Sequence, residues 1–280
     1  MKRALILVGI SWLLVVLIRK SPTPSTHELH GRAMGCAWTL AWRGGAATPA
    51  DLHHAVATTL EHWEQVLSQW RENSDLSRFN RGEAPTHELS RALTHAEAIK
   101  EASGGAFDHQ LLEKVHAAGF GPAGVGVDLS SIGKGFAVDR VVERLHELGL
   151  RDFIFNLAGE AYAGDGDWEI GIERPDPSGI FIAETLTLRN QAIATTGNYR
   201  QFYPSEGGMK SHIIDPTTGQ PVIRPPSSVT VVASDCASAS AWATAHFVAG
   251  PDSDFRRAPA GLKIRWQTHQ APKFSASHEN

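Results

Sequence analysis

Three stretches carry residue types that chemistry can use. The first is Val127-Asp-Leu-Ser-Ser-Ile-Gly-Lys-Gly-Phe-Ala-Val-Asp-Arg140, where a strand end meets a helix start and Gly133 and Gly135 flank Lys134. Such a start offers backbone N–H groups and the positive end of a helix dipole. Small residues let a phosphate approach, and lysine adds a point charge. The spacing is neither a Walker A loop nor G-x-G-x-x-G; taken alone, it reads more readily as an amphipathic helix with a solvated lysine. The second is Ala194-Thr-Thr-Gly-Asn-Tyr-Arg200 followed by Ser211-His-Ile-Ile-Asp-Pro-Thr-Thr-Gly-Gln-Pro221, rich in turn formers and hydroxyls. His212 and Asp215 would make a base and its orienting acid, although in a chain with 14 histidines such a pair is more often structural. The third is Asp235-Cys-Ala-Ser-Ala-Ser-Ala-Trp-Ala-Thr244, with Ser240 and Thr244 four apart on one helix face. Its small residues mean that something packs or binds very close, helix-on-sheet packing being the plain alternative.

These stretches need elements to position them. Ala37 to Trp42 reads as a strand before a Gly44-Gly45 turn. Thr48-Pro-Ala-Asp51 reads as a helix start, and Leu52, Val56, Leu60, Trp63, Leu67 and Trp70 keep helical spacing after it. Ser90 to Ala102 and Ile132 to Leu148 read as two further helices stopped by glycines. Phe153–Leu157, Trp168–Ile172, Glu184–Leu188 and Ser228–Val232 read as strands, and Ser234 or Asp235 caps a helix running to about Val248. Lys263 to Gln267 closes the set as a strand. Without strict β-α alternation or an internal repeat, the pattern predicts an α+β fold.

Composition bounds the function. The chain has 280 residues with 26 Lys and Arg against 30 Asp and Glu. Lys2, Arg3, Arg19 and Lys20 lie in the first twenty residues, so the rest holds 22 bases against 30 acids, a net of −8. That excludes the basic footprint of a nucleic-acid binder. The two cysteines, Cys36 and Cys236, exclude a disulfide scaffold or a cysteine-rich metal site and leave a single bridge open. The apolar run from Ala4 to Ile18 is short for a membrane span, which takes about 20 residues. It fits a signal-peptide apolar region or a short signal anchor over residues 1–20. Residues 21–30 read as a linker, 31–270 as one domain and 271–280 as a frayed tail. The expected location is the bacterial inner membrane with the body facing the periplasm, or the periplasm itself if the segment is cleaved.

Taken together and in order, the motifs resemble the FAD:protein FMN transferase family, often called ApbE, from roughly Gly31 to Gly250. The resemblance rests on Met34-Gly35, Ser74-Asp-Leu-Ser-Arg-Phe-Asn80, Ala106-Phe-Asp108, Gly119-Phe-Gly-Pro122 and Asp128-Leu-Ser-Ser-Ile-Gly-Lys-Gly135 with Ala137-Val-Asp-Arg140. It continues in Asn156-Leu-Ala-Gly-Glu160, Thr196-Gly-Asn-Tyr-Arg200, Ser211-His-Ile-Ile-Asp-Pro216 and Ala243-Thr-Ala245. It implies a single domain of mixed, largely antiparallel sheet with packed helices. It also implies Mg²⁺-dependent transfer of FMN from FAD onto a Ser or Thr of a partner redox protein in a membrane complex, with release of AMP. By the same resemblance, Met34, Trp70, Ala106, Phe107 and Asp108 would line the flavin nucleotide, and Asp128 and Lys134 would hold nucleotide and phosphates. The Ser131 carbonyl would face the metal with Ser240 and Thr244, and His212 and Ile213 would lie beside the transferring phosphate, His212 as base. Trp70 and Phe107 offer flat rings for flavin or adenine.

One departure bears on the metal. The family pattern Ala-Asp-Ala-x-Ala-Thr reads Ala239-Ser-Ala-Trp-Ala-Thr244 here, so Ser240 stands where a carboxylate is usual. Magnesium prefers hard oxygens with one or two carboxylates, and Asp235 lies on the wrong face to replace it. Gly133 stands for a common Ala and Asn198 for a common Asp. Two alternatives to transfer stay open, a flavin-binding protein and an FAD hydrolase giving FMN and AMP. A solute-binding module using its tryptophans is the reading without the family.

Overall fold

The computed structural model describes residues 25–206 and 208–269. The apolar run, residues 21–24 of the segment read as linker and the tail 271–280 lie outside the described residues. Among the described residues, no helix is long and apolar enough to cross a membrane.

The chain begins with a hairpin of β1 (His27–Ala33) and β2 (Cys36–Trp42). β1 starts inside the segment 21–30 read as a linker, which is corrected here: His27 to Ala33 is an exposed polar edge strand without the apolar alternation that marks a strand in sequence. Five helices follow: α1 (Pro49–Leu67), α2 (Asp75–Asn80), α3 (His87–Ala102), α4 (Leu112–Ala117) and α5 (Gly133–Glu147). Then come β3 (Phe153–Leu157), β4 (Glu160–Ala163), β5 (Trp168–Glu173), β6 (Ile182–Leu188), β7 (Gln191–Gly197), β8 (Phe202–Ser205), β9 (Gly208–Ile214), β10 (Pro221–Arg224), β11 (Ser227–Ala233), α6 (Cys236–Ala249) and β12 (Lys263–Thr268). The helix start predicted at Thr48 is a full capping box: its hydroxyl accepts from the Asp51 N–H, and the Asp51 carboxylate turns back to Thr48. Asp235, rather than Ser234, caps α6 by accepting from the Ser238 N–H at 2.8 Å.

The main sheet runs β1-β2-β3-β4-β7-β11-β12. Every described pairing in it is antiparallel, so the sheet is not mixed. Two tight turns impose this. Met34-Gly35 joins β1 to β2 and Ala158-Gly159 joins β3 to β4, and all four residues have positive φ, as a two-residue hairpin turn demands. Helices cover one face of the sheet. The hairpin β5–β6 covers the other, where Trp168, Ile170 and Leu188 pack on Ile154, Ile193 and Val232. That double cover explains why β3 is buried at every position.

α6 is the central helix, packed on β7 and β11 and against α5. Its small residues serve this packing. A Cβ on Gly135 would stand 2.4 Å from the Cys236 carbonyl oxygen, so α5 and the start of α6 touch backbone to backbone. Asp139 of α5 locks the contact by accepting from the Cys236 and Ala237 N–H groups at 2.7 and 3.0 Å. Gly135 is therefore required by helix packing and not by the approach of a phosphate.

Candidate functional site

The start of α5 faces α6, β4 and β7 across a cleft of about 260 Å³, and β9 closes its far side. No side chain caps α5, and no acid lies in its first turn, so its positive end is left for a ligand. Lys134 points into the cleft and gives its ammonium to Glu160 Oε2 at 2.5 Å. Burial works against the lysine charge, but the Glu160 carboxylate outweighs it and holds the Lys134 pKa above its ordinary value. The Ser240 hydroxyl lies 3.1 Å from Glu160 Oε1 and 3.1 Å from the Ser131 carbonyl oxygen. One turn on, the hydroxyls of Thr244 and Thr196 meet at 3.3 Å.

Ala106, Asp108, Asp128, Ser131, Lys134, His212, Ile213, Ser240 and Thr244, from four separate stretches of the chain, all line this one cleft. Asp108 is partly engaged, accepting from the Gln110 N–H and pairing with Lys100 at 3.0 Å. Asp128 orders the loop before α5, accepting from the Ser130 N–H at 2.7 Å and from the Gln69 amide. Three proposed nucleotide contacts sit elsewhere. Phe107 is 1% exposed in the core and presents no free ring face, which corrects its role as a stacking surface. Trp70 stands 68% exposed in the turn after α1, next to Gln69 but outside the cleft lining. Met34 sits in the β1–β2 turn with a positive φ, its N–H donating to Glu64 at 3.1 Å; the ion pair of Glu64 with Arg71 steadies that strained position.

His212 is half-buried on β9. Its Nδ1 lies 3.4 Å from the Gln201 carbonyl, which selects the tautomer that leaves Nε2 as acceptor. Burial lowers its pKa, Lys134 adds to that, and the Gln201 carbonyl opposes it. The imidazole is thus neutral and basic near pH 7. Asp215 does not orient it: that carboxylate accepts from the Thr217 N–H and shapes the turn before β10. Asn198 also finds its reason. It is fully buried, donates to the Arg224 and Pro225 carbonyls and accepts from the Ser227 N–H. A carboxylate could not make the two donations. Cys36 and Cys236 are free thiols, so the open bridge does not form.

Glu160 was missed. It lies in a quoted motif, yet a lysine 26 positions away at a helix start gives no periodic signal linking the two. The only local sign is a charge directly after an Ala-Gly turn in an otherwise apolar stretch. Among the described residues, no three His, Cys, Asp or Glu side chains converge as a metal cluster. The donor set that does converge is all oxygen: the Ser131 carbonyl, the Ser240 and Thr244 hydroxyls and the Glu160 carboxylate. One carboxylate with neutral oxygens suits Mg²⁺, which also takes ligands from substrate phosphates.

The model of the ApbE family matches residues 34–124 and 121–263. A FAD:protein FMN transferase of Vibrio cholerae is 29% identical over 297 residues, covering 88% of each chain. One of Escherichia coli K12 is 27% identical over 290 residues, covering 83% of each. Among solved structures, the flavin transferase ApbE from Vibrio cholerae superposes with a TM-score of 0.73 at 25% identity, over 88% of this chain and 98% of that one. The Pseudomonas stutzeri flavinyl transferase ApbE shares the fold, with a TM-score of 0.76 over 88% of this chain and 92% of that one. With the family model covering most of its length, this chain belongs to the ApbE family.

Proposed function

We propose that the chain transfers the FMN moiety of FAD onto a Ser or Thr hydroxyl of a partner protein and releases AMP. The observation that carries this is that the His212 imidazole and the Lys134 ammonium line one cleft at an uncapped helix start. The transfer forms a bond from the acceptor oxygen to the FMN phosphorus and breaks the pyrophosphate bond to AMP. His212 Nε2 takes the hydroxyl proton, since a hydroxyl is a weak nucleophile without a base. Lys134 and the α5 N–H groups hold the pyrophosphate charge, and such charge neutralisation is most of what this chemistry needs. Tyr203, 55% exposed and next to Phe120, gives a ring face near His212. Mg²⁺, held by the Ser131 carbonyl, Ser240, Thr244 and Glu160, would supply further positive charge to the pyrophosphate oxygens.

The proposal extends to the setting. The apolar N-terminus supports a body held at the bacterial inner membrane and facing the periplasm, with a flavin-carrying subunit of a membrane redox complex as acceptor. The test is incubation of the chain from about His27 with FAD and a Thr-containing acceptor peptide, with and without Mg²⁺, read by mass spectrometry. An FMN adduct with matching AMP is the expected result. Free FMN in place of the adduct would make the chain an FAD hydrolase, and intact bound FAD throughout would make it a flavin-binding protein.

A further inference from the structure

We propose that Glu160 supplies the carboxylate for a divalent cation in this cleft, in place of the acid that Ser240 replaces on α6. This rests on the reading above, that pyrophosphate chemistry takes place here. The argument begins with a proton count. Ser240 Oγ sits 3.1 Å from both the Ser131 carbonyl oxygen and Glu160 Oε1. Three oxygens converge there, and a hydroxyl brings one proton, so one acceptor always faces a lone pair instead of a hydrogen. A cation within reach of all three oxygens resolves that surplus by taking a lone pair from each.

The other nearby carboxylates are engaged by groups of this chain. Asp108 accepts from the Gln110 N–H and pairs with Lys100. Asp139 accepts from two N–H groups at the start of α6. Asp235 accepts from the Ser238 N–H and the Ser234 hydroxyl. Asp128 accepts from Ser130 and Gln69. Glu160, 7% exposed, has one oxygen on Ser240 and the other on Lys134. A carboxylate can keep both assignments. Oε2 stays on the ammonium while Oε1 turns to the cation, and Lys134 becomes the positioning group that fixes the ligand. The ammonium has two further N–H donors for a phosphate oxygen. The backbone holds Glu160 firmly in place. It follows the Ala158-Gly159 turn, which the Asn156 side chain closes by accepting from the Gly159 N–H at 3.1 Å.

The test is Mn²⁺ binding to the purified chain with saturating FAD and no acceptor, read from the electron paramagnetic resonance of free Mn²⁺. Glu160→Gln is expected to weaken Mn²⁺ at least about tenfold, the usual effect of losing a ligand or its support. Adding Ser240→Asp to Glu160→Gln should restore wild-type affinity. Unchanged Mn²⁺ affinity in Glu160→Gln would overturn the proposal. If that variant does not fold, Ser240→Asp alone decides. With two carboxylates sharing the cation, its melting temperature should rise more on adding Mn²⁺ than that of the wild type, and an equal or smaller rise would overturn the proposal. Mn²⁺ binding of the expected pattern without FMN transfer would break the functional reading and leave this assignment standing.

Discussion

Lys134, Glu160 and Ser240 stand on α5, β4 and α6, elements packed in the main core, and Glu160 bonds to both of the others, whereas His212 stands on β9 in a separate three-stranded sheet, with one long bond to a loop carbonyl. One wall of the cleft is thus rigid and charged, and the other is peripheral and neutral. The contrast separates two tasks. Holding a pyrophosphate needs dipoles and charges that are already in place, because any reorganisation on binding is lost from transition-state stabilisation. Taking a proton from an incoming protein hydroxyl needs a base at the open side, where a polypeptide can reach it. Asn198 joins the two units, tying the end of β7 to the β10–β11 loop through three buried hydrogen bonds.

The largest effect falls on the peripheral wall. His212→Ala should lower FMN transfer by about 10²–10⁴-fold, the usual share of a positioned general base, with FAD affinity kept. Acceptor labelling and equilibrium FAD binding, measured side by side, check this. Equal loss of both would move His212 to the binding wall and break the comparison. The pH profile sharpens it. The neutral imidazole is the active form, and burial lowers its pKa from 6.5, so the acid limb of wild-type transfer should lie below pH 6.5 and vanish in the variant.

Next is the packing under the rigid wall. Gly135→Ala forces a Cβ to within 2.4 Å of the Cys236 carbonyl, where backbone and not a flexible side chain must yield. Overpacking of this kind costs about 1–3 kcal/mol, a fall in melting temperature of about 2–4 °C for each kcal/mol in a chain of this size. FAD affinity should fall with it, since α5 carries Lys134. Calorimetry on apo protein and an FAD titration read the two effects.

Asp139→Asn should act in the same place but more mildly. Loss of one cap acceptor at α6 costs about 1 kcal/mol. Burial is the main cause that raises the Asp139 pKa from 3.8 to about 7. The folded state therefore keeps a proton that the unfolded chain gives up between those values. This group's contribution to stability is full below about pH 3.8 and lost as pH rises through about 7. The Asn variant should lack that slope when the two proteins are melted at pH 4 to 8.

These two walls were not equally readable from sequence. The rigid wall stands on elements with strong local signals: the Thr48 capping box, the helical spacing of α1, the glycine stops after α3 and α5 and the apolar run of β3. Ordered motifs brought nine cleft residues together, although Phe107 turned out to be core because an aromatic in a motif looks the same whether it stacks on ligand or packs inside. The peripheral wall gave weaker signals. β8 and β10 have four residues each and carry a proline, β9 has no clean apolar alternation, and pairing between them is set by tertiary contact and not by period. Glu160 and Asp215 exchanged importance for the same reason. His212 and Asp215 are close in sequence but do not bond, while Lys134 and Glu160 are far apart in sequence and do.

Gly133 gives the smallest effect and the finest test of the rigid wall. It lies two residues from Gly135 on the same helix start, yet a Cβ there would meet only Leu129 and Leu67 carbons at 3.8 and 3.9 Å, ordinary van der Waals contact. Gly133→Ala should therefore stabilise the fold by about 0.5–1 kcal/mol through the helix propensity gained, with FAD affinity unchanged. A rise in melting temperature of a few degrees with unchanged transfer would show that this wall holds phosphate through Lys134 and the N–H groups, and not through the bare Cα of Gly133. The same rise with weakened FAD would place a phosphate oxygen against Gly133 itself. Packing would then account for one of the two glycines and ligand approach for the other, a division of roles that their shared spacing around Lys134 conceals.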